Sequence, residues 1–410
     1  MKRILILLPW LPYPLSSGGN QGVFNMLKAI SSSYEVHLWF LADVSVDEKL
    51  INSFLSALDN KIIIHYTIKK PGLNMATLRG IHYRVDKLLL RHDTTFKSNQ
   101  SLWGKETSSK YDDFILSDII HLIDKYRIDI VQVEFVSIID YVYCLPSKVK
   151  KIFIHHELGF ARKQTQLKQK NNRSFYDDFM LARSTDREIS ALNKYDAVVT
   201  LTDVDKEKLK QFGVSTSIYV SPLFIPKSVQ VDFVPANNRL VMIGGGNHYP
   251  NVEGIRWFIE KVHPLLEKHI DYKLEVIGGN WDSKKPQNVP SNIVFLGFVE
   301  DLSKVVPGSV MIVPILTGSG MRMKILEAVN NSVPFVSTSI GAEGLNFVDS
   351  RDCDITDSPS EFSDRIIRLL KDKELQRKYV TNSLNVYENE YSASVLSNKR
   401  IDILNLILNN

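Results

Sequence analysis

The chain has 410 residues, 44% of them hydrophobic and 23% charged, a globular composition that excludes a fibrous or disordered protein. That length exceeds one typical core, so two domains are expected. A formal net charge of +4 is too small for this length to argue for nucleic acid, and two distant cysteines, Cys144 and Cys353, without metal-ligand spacing point to a reducing cytoplasm.

The opening residues, MKRILILLPWLP, read as a first buried strand over 4–8. The apolar run stops at Leu8, and Pro9, Pro12 and Pro14 follow with no small-residue cleavage site at signal-peptide distance. No run approaches the ~18 apolar residues of a membrane span. Ser16, Ser17, Gly18 and Gly19 read as a loop, and Val23, Met26, Leu27 and Ile30 recur at helical spacing over 21–31. Further strands are expected at 35–40, 61–66, 128–133, 151–155 and 197–201 with helices between, an α/β pattern with a parallel sheet.

Polar groups at strand ends are the candidates for chemistry in such folds. Here they are Glu134, then His155, His156 and Glu157 with Arg162 just beyond. Consecutive strand residues alternate direction, so the triplet cannot close on one metal ion. Asp203 and Asp205 read as acids in a first helical turn rather than a metal pair. Two basic stretches stand out. Residues 75–97 carry Arg79, Arg84, Lys87, Arg91 and Lys97 beside an apolar side of Leu78, Ile81, Val85, Leu88 and Leu89. Residues 162–173 carry Arg162, Lys163, Lys168, Lys170 and Arg173 without an acid. Each is a solvated face or a contact with an anionic membrane surface.

A linker is expected within 221–238, which holds Pro222, Pro226 and Pro235. Strand 239–243 then runs into Gly244, Gly245, Gly246 and Asn247, with Asn251 as the expected cap of a helix starting near Val252. Strands 273–277 and 293–296 lead to a turn bearing Phe298.

The most informative stretch is 310–345: a strand, the loop Thr317-Gly318-Ser319-Gly320, a helix with Arg322, Lys324 and Glu327 among its polar positions, and a second strand. This is a βαβ unit whose loop lies at the carboxyl edge of a parallel sheet. Glycines admit close backbone approach, and the helix start favours an anion. Lys324 and Glu327, three apart, share a face and could hold a diphosphate beside a ribose; an ordinary exposed Lys–Glu pair on a Rossmann turn is the plainer alternative.

Pro314, Gly318, Gly320, Lys324, Leu326, Glu327, Ala328, Pro334, Val336, Thr338, Gly341, Gly344 and Leu345 together resemble the donor-site signature of retaining GT-B glycosyltransferases of family 4 (glycosyl transferases group 1). Ser319 stands where many members carry the first glutamate of a pair, so the likeness is to the branch lacking it. The resemblance implies two Rossmann-like parallel-sheet domains with a cleft between them, an N-terminal acceptor domain over 1–225, a donor-nucleotide domain over 226–392, and a C-terminal helix over 393–410 crossing back. It implies His156, Lys324 and Glu327 as catalytic groups. Donor contacts would come from Gly18, Gly19, Gly245, Asn247, Phe298, Gly318, Ser319, Gly320 and Arg322, and acceptor contacts from Glu134, His155 and Arg162. The Arg/Lys pair common after the first strand of the second domain is absent, which places charge neutralisation on Arg322, Lys324 and the helix start.

The expected activity is transfer of a sugar from a nucleoside-diphosphate sugar to a glycan or lipid-linked acceptor with retention, in cell-surface polysaccharide assembly. No metal or cofactor is expected, nor a nucleic-acid partner, and the protein is placed in the cytoplasm or peripherally at the inner membrane surface. An epimerase of GT-B shape and a non-catalytic sugar-nucleotide-binding subunit are the alternatives.

Overall fold

The computed structural model describes residues 1–42, 46–68, 112–168, 170, 172–227 and 231–409. Seven strands form the first sheet: β1 (Lys2–Leu8), β2 (Tyr34–Ala42), β3 (Ile62–Ile68), β4 (Ile130–Glu134), β5 (Lys150–His155), β6 (Ala197–Thr200) and β7 (Ser217–Val220). Their order is β3-β2-β1-β4-β5-β6-β7 and every pairing is parallel, with Ile4 opposite Ile130 and Ile152 opposite Ala197. Ile4 to Leu8 are all buried, the near-continuous apolar run of a strand covered on both faces. Each such side chain contributes roughly 1.5–3 kcal/mol.

The second sheet comprises β8 (Arg239–Ile243), β9 (Lys273–Ile277), β10 (Ile293–Gly297), β11 (Val310–Val313), β12 (Phe335–Ser337) and β13 (Asp354–Ile355), in the order β10-β9-β8-β11-β12-β13 and again all parallel. Each sheet reverses its strand order beside its first strand, between β2 and β4 around β1 and between β9 and β11 around β8. Ligands of open parallel sheets bind at that reversal, beyond the carboxyl ends.

Helices cover both sheets. In the first lobe these are α1 (Gly18–Ile30), α2 (Glu48–Ala57), α3 (Asp113–Lys125), α4 (Gly159–Lys168), α5 (Phe175–Leu192) and α6 (Asp203–Gln211). The second lobe adds α7 (Tyr249–Trp257), α8 (Met323–Asn330), α9 (Pro359–Lys371) and α10 (Lys373–Val386), and the chain closes with α11 (Ala393–Asn409). Residues 221–227 and 231–238 connect the lobes without helix or strand. Helix α11 returns to the first lobe, where Asn405 accepts from the Tyr34 hydroxyl at 2.6 Å and buried Arg400 donates to Ser221 Oγ at 2.9 Å. One apolar cluster joins the lobes, including Ile4, Val23 and Leu223 with Ile325 and Leu326.

Two local expectations are corrected and one strand is added. Gly18 and Gly19 are the first turn of α1, not a loop, because Ser17 caps that helix through the Asn20 amide. Asn251 does not cap α7, whose cap position is His248; its side-chain amide instead donates to the Gly245 carbonyl at 2.9 Å. The short strand β7 was not anticipated. The run 162–173 is paired with acids from outside its own span: Arg162 with Glu157, Lys170 with Asp177 and Arg173 with Asp178. The basic stretch 75–97 lies outside the described residues. Among the described residues, no helix is long and apolar enough to cross a membrane.

Candidate functional site

The loops at the two strand reversals face each other, and the glycines of the sequence motifs lie where they touch. A Cβ on Gly18, at the start of α1, would sit 2.9 Å from the Cβ of Met323, the first residue of α8. A Cβ on Gly320 would lie 2.2 Å from the His156 carbonyl oxygen, and one on Gly344 2.3 Å from Thr202 Cγ2. Contacts under 3 Å leave no room for any side chain, so these glycines let the lobes approach. Gly19 meets only Ser17 Oγ, at 3.9 Å, and Gly318 lies between Pro250 and the Arg322 guanidinium.

Polar bonds fasten the same seam. The Leu158 amide donates to Ser319 Oγ at 2.7 Å, and the Gly320 amide donates to Asp205 Oδ2 at 3.1 Å. Lys208 pairs with Glu343 at 3.0 Å. Asp205 also accepts from the Thr202 hydroxyl at 2.7 Å, and burial raises its pKa. Sequence reasoning gave Asp205 to helix capping alone; its reach across the seam depends on a tertiary contact with no local signal.

Arg322 and Lys324 stand at the start of α8. Arg322 is buried and donates Nη1 to the Ser319 carbonyl at 2.5 Å and Nε to the Ile340 carbonyl at 3.2 Å, while Nη2 has no partner. Its guanidinium therefore shapes the glycine loop and keeps one donor unused. Lys324 Nζ donates to Asn251 Oδ1 at 2.6 Å, a neutral acceptor. Burial, and then the charge of Arg322, lower the Lys324 pKa to about 7. From the opposite side Arg162 joins these cations, held by Glu157 at 2.7 Å. His248, although part of its surface is open, has its pKa lowered to about 4 by desolvation and by Lys324, Arg162 and Arg322. Cations from both lobes thus bear on His248, at the second sheet's reversal.

Glu327, one helical turn beyond Lys324, lies beside the side chain of Gln21 of α1. Burial raises its pKa to about 7. On the first lobe, His156 Nε2 lies 2.7 Å from Glu134 Oε2, while Glu134 Oε1 accepts from Gln132 at 2.6 Å. His155 turns the other way, as neighbours on a strand do, and meets Glu188 of α5 at 2.8 Å inside the first lobe.

Gly18, Gly318, Gly320, Arg322, Lys324, Glu327, His156, Glu134 and Arg162 are therefore gathered about the seam, and Ser319 is engaged in holding it shut. Gly245 packs its loop against Gly279, with Asn247 exposed beside it. Phe298 stands exposed at the end of β10, two strands from β8, and is not part of the core.

Comparison with known proteins agrees with this architecture. Residues 237–372 match the family model of glycosyl transferases group 1. An "uncharacterized 44.6 kDa protein in cps region" of Klebsiella pneumoniae is 23% identical over 96% of this chain and 97% of its own length. Among solved structures, S. aureus TarM superposes with a TM-score of 0.71 at 13% identity over 100% of both chains. Sucrose-phosphate synthase of Thermosynechococcus elongatus gives 0.69 at 12% identity over 99% of both. Anabaena HepE, solved with UDP and glucose, gives 0.65 at 10% identity over 99% of this chain and 100% of its own. The chain has the GT-B fold along its length, and its likeness to glycosyl transferases group 1 covers residues 237–372 of the second lobe.

Proposed function

We propose that the protein is a glycosyltransferase that moves a sugar from a nucleoside-diphosphate sugar to a glycan acceptor, held in the seam between the lobes. The observation that carries this reading is the pair of cations at the start of α8, buried Arg322 with an unused Nη2 and part-buried Lys324 with only a neutral partner. Arg322 has the carboxylates of Glu157, Glu343 and Asp205 near it, but Lys324 has only Asn251, and a desolvated ammonium is costly without a counter-charge, which supports an anion arriving with the substrate. TarM and HepE have been solved with UDP, which supports a nucleotide of that class. The cps-region relative supports a place in polysaccharide biosynthesis.

In this reading Lys324 and Arg322 neutralise the charge that grows on the departing diphosphate, with no metal ion required. Each charge-assisted hydrogen bond is worth roughly 1.5–3 kcal/mol, and placing it where charge develops makes it catalytic. Glu327 accepts from the ribose hydroxyls once ionised. Gly19, Gly245, Asn247 and Phe298 line the approach of the nucleotide, with Phe298 at the base. His156, oriented by Glu134, lies beneath the Gly320 loop and approaches the transferred sugar. Transfer proceeds with retention, the acceptor hydroxyl attacking from the leaving-group face. Arg162, expected at the acceptor, is close enough to His248 for its charge to add to that of Lys324 and Arg322, which supports a second role beside the phosphates. The basic sequence 75–97 carries the further reading that the acceptor is lipid-linked and the protein peripheral at an anionic membrane.

A thermal-shift panel of nucleotides and nucleotide sugars tests this: a ligand near 100 times its dissociation constant stabilises by about 2.7 kcal/mol. Stabilisation by a nucleotide sugar, lost in Lys324→Ala, supports the reading. Consumption of the donor alone to an epimer would transfer it to epimerisation.

A further inference from the structure

Trp10, Phe135 and His156 leave three neighbouring strands of the first sheet, β1, β4 and β5, just past their carboxyl ends. Their rings form a row. The Phe135 and His156 rings stack with centroids 4.1 Å apart and planes 7° apart, and Trp10 lies 4.6 Å from Phe135 at 39°. His156 is the inner end, under the Gly320 loop, and Trp10 is the outer end, 43% exposed. The indole nitrogen donates to Asn20 Oδ1 at 3.2 Å, which sets the ring against the start of α1.

Phe135 holds this position at a backbone cost. Its φ of 73° lies in the left-handed region, which a bulky residue occupies only when its surroundings impose it. Such strain costs roughly 1–3 kcal/mol and collects at sites where geometry is used. Core packing accounts for only part of it: Phe135 packs partly buried against the core, while Trp10 is among the exposed large apolar residues. A large exposed indole at a strand reversal, continuous with the candidate donor site, has the chemistry of a platform for the apolar face of a pyranose ring.

We infer that Trp10 and Phe135 form a sugar-stacking subsite for the acceptor. The word acceptor rests on the glycosyltransferase reading; the binding of a sugar ring does not. The row fixes the acceptor's approach: the pyranose stacks on Trp10 and points its hydroxyl along Phe135 toward His156, where the donor sugar is placed. Acceptors whose terminal residue presents a continuous apolar C–H face are accordingly preferred.

The test labels the five tryptophans with 5-fluorotryptophan, assigns Trp10 by Trp10→Phe, and follows its fluorine resonance. The probes are the methyl glycosides of glucose, galactose and N-acetylglucosamine, added with and without UDP. At least one glycoside should move the Trp10 resonance saturably and leave the buried tryptophans unmoved. Phe135→Ala should weaken that binding about tenfold, the equivalent of losing one ring pair. Trp10→Ala, a change at an exposed ring, should do the same by saturation-transfer NMR at an unchanged melting temperature. The inference is overturned if no glycoside moves Trp10, or if UDP alone moves it as far as any sugar does. UDP-glucose and GDP-mannose binding, measured by calorimetry on the same sample, separates the two claims. Nucleotide-sugar binding with a silent Trp10 sinks the platform alone; a responsive Trp10 without nucleotide binding keeps a sugar site and removes the transferase reading.

Discussion

Lys324 donates to the side-chain carbonyl of Asn251 at 2.6 Å, so an ammonium desolvated beside Arg322 has a neutral amide as its partner. The arrangement binds the ammonium without satisfying its charge. Asn251 is itself fixed by its bond to the Gly245 carbonyl, so it orients the lysine from a rigid loop.

The first prediction concerns pH and nucleotide affinity. With the site empty, Lys324 and Glu327 both titrate at about 7. A diphosphate favours the protonated lysine and ribose hydroxyls favour the ionised glutamate. Affinity for a nucleoside diphosphate should therefore rise toward neutrality as Glu327 ionises and fall above it as Lys324 loses its proton. Calorimetric titrations across that range should show the acid limb vanish in Glu327→Gln and the alkaline limb vanish in Lys324→Met.

A second prediction concerns the stability of the empty protein. Unfolded Lys324 keeps its proton up to 10.5 while the folded site releases it near 7, so between these values the unfolded chain binds more protons. Stability from this group rises with pH across that window. Glu327 works in the opposite sense: its folded value of about 7 lies above 4.5, so its contribution is present below 4.5 and is lost as pH climbs through 7. Lys324→Met should stabilise the ligand-free protein at neutral pH by about 1–3 kcal/mol. Its melting temperature should also lose the rise above neutrality.

The contact of the two helix starts gives a third. Gly18→Val inserts a side chain where Met323 already stands 2.9 Å from the position of a Cβ. Overpacking of this kind costs about 1–3 kcal/mol, and here it is relieved by parting the lobes. Hydrogen exchange should quicken at 18–22 and 320–324 while the centres of both sheets keep their protection. Unchanged exchange at the seam would show that the lobes do not meet there in solution.

Arg400 supplies a fourth. Its guanidinium, buried under the returning α11, donates to both the hydroxyl and the carbonyl of Ser221, and Glu134 lies near enough to favour its charge. Arg400→Leu removes charge-assisted bonds worth roughly 1.5–3 kcal/mol each. Chemical denaturation should show a loss of about 2–4 kcal/mol, with α11 released from the first lobe and more open to proteolysis.

Much of this molecule can be read from its chain because the signals are local. The buried runs at Ile4 to Leu8 and Val310 to Val313 exceed what a surface strand carries, and the glycine loop before Lys324 is a motif with fixed offsets. Strand β7 escaped because SIYV is short and half-exposed at a sheet edge. The glycine pair hid the start of α1, since glycine lowers helix propensity and only the approach of Met323 explains Gly18. Asp205 takes its place through Gly320, 115 positions away, Arg162 through the second lobe, and the row from Trp10 to His156 through neighbouring strand ends, which no periodicity encodes.

The central claim is that cations at the start of α8 hold a diphosphate in the seam. It is tested most directly by titrating UDP and GDP into the wild-type protein and into Lys324→Met. At least one nucleotide should bind the wild type, and Lys324→Met should weaken it about ten- to a hundredfold, the loss of one charge-assisted bond. Equal affinity in the two proteins, or no binding of either nucleotide to the wild type, would contradict the account.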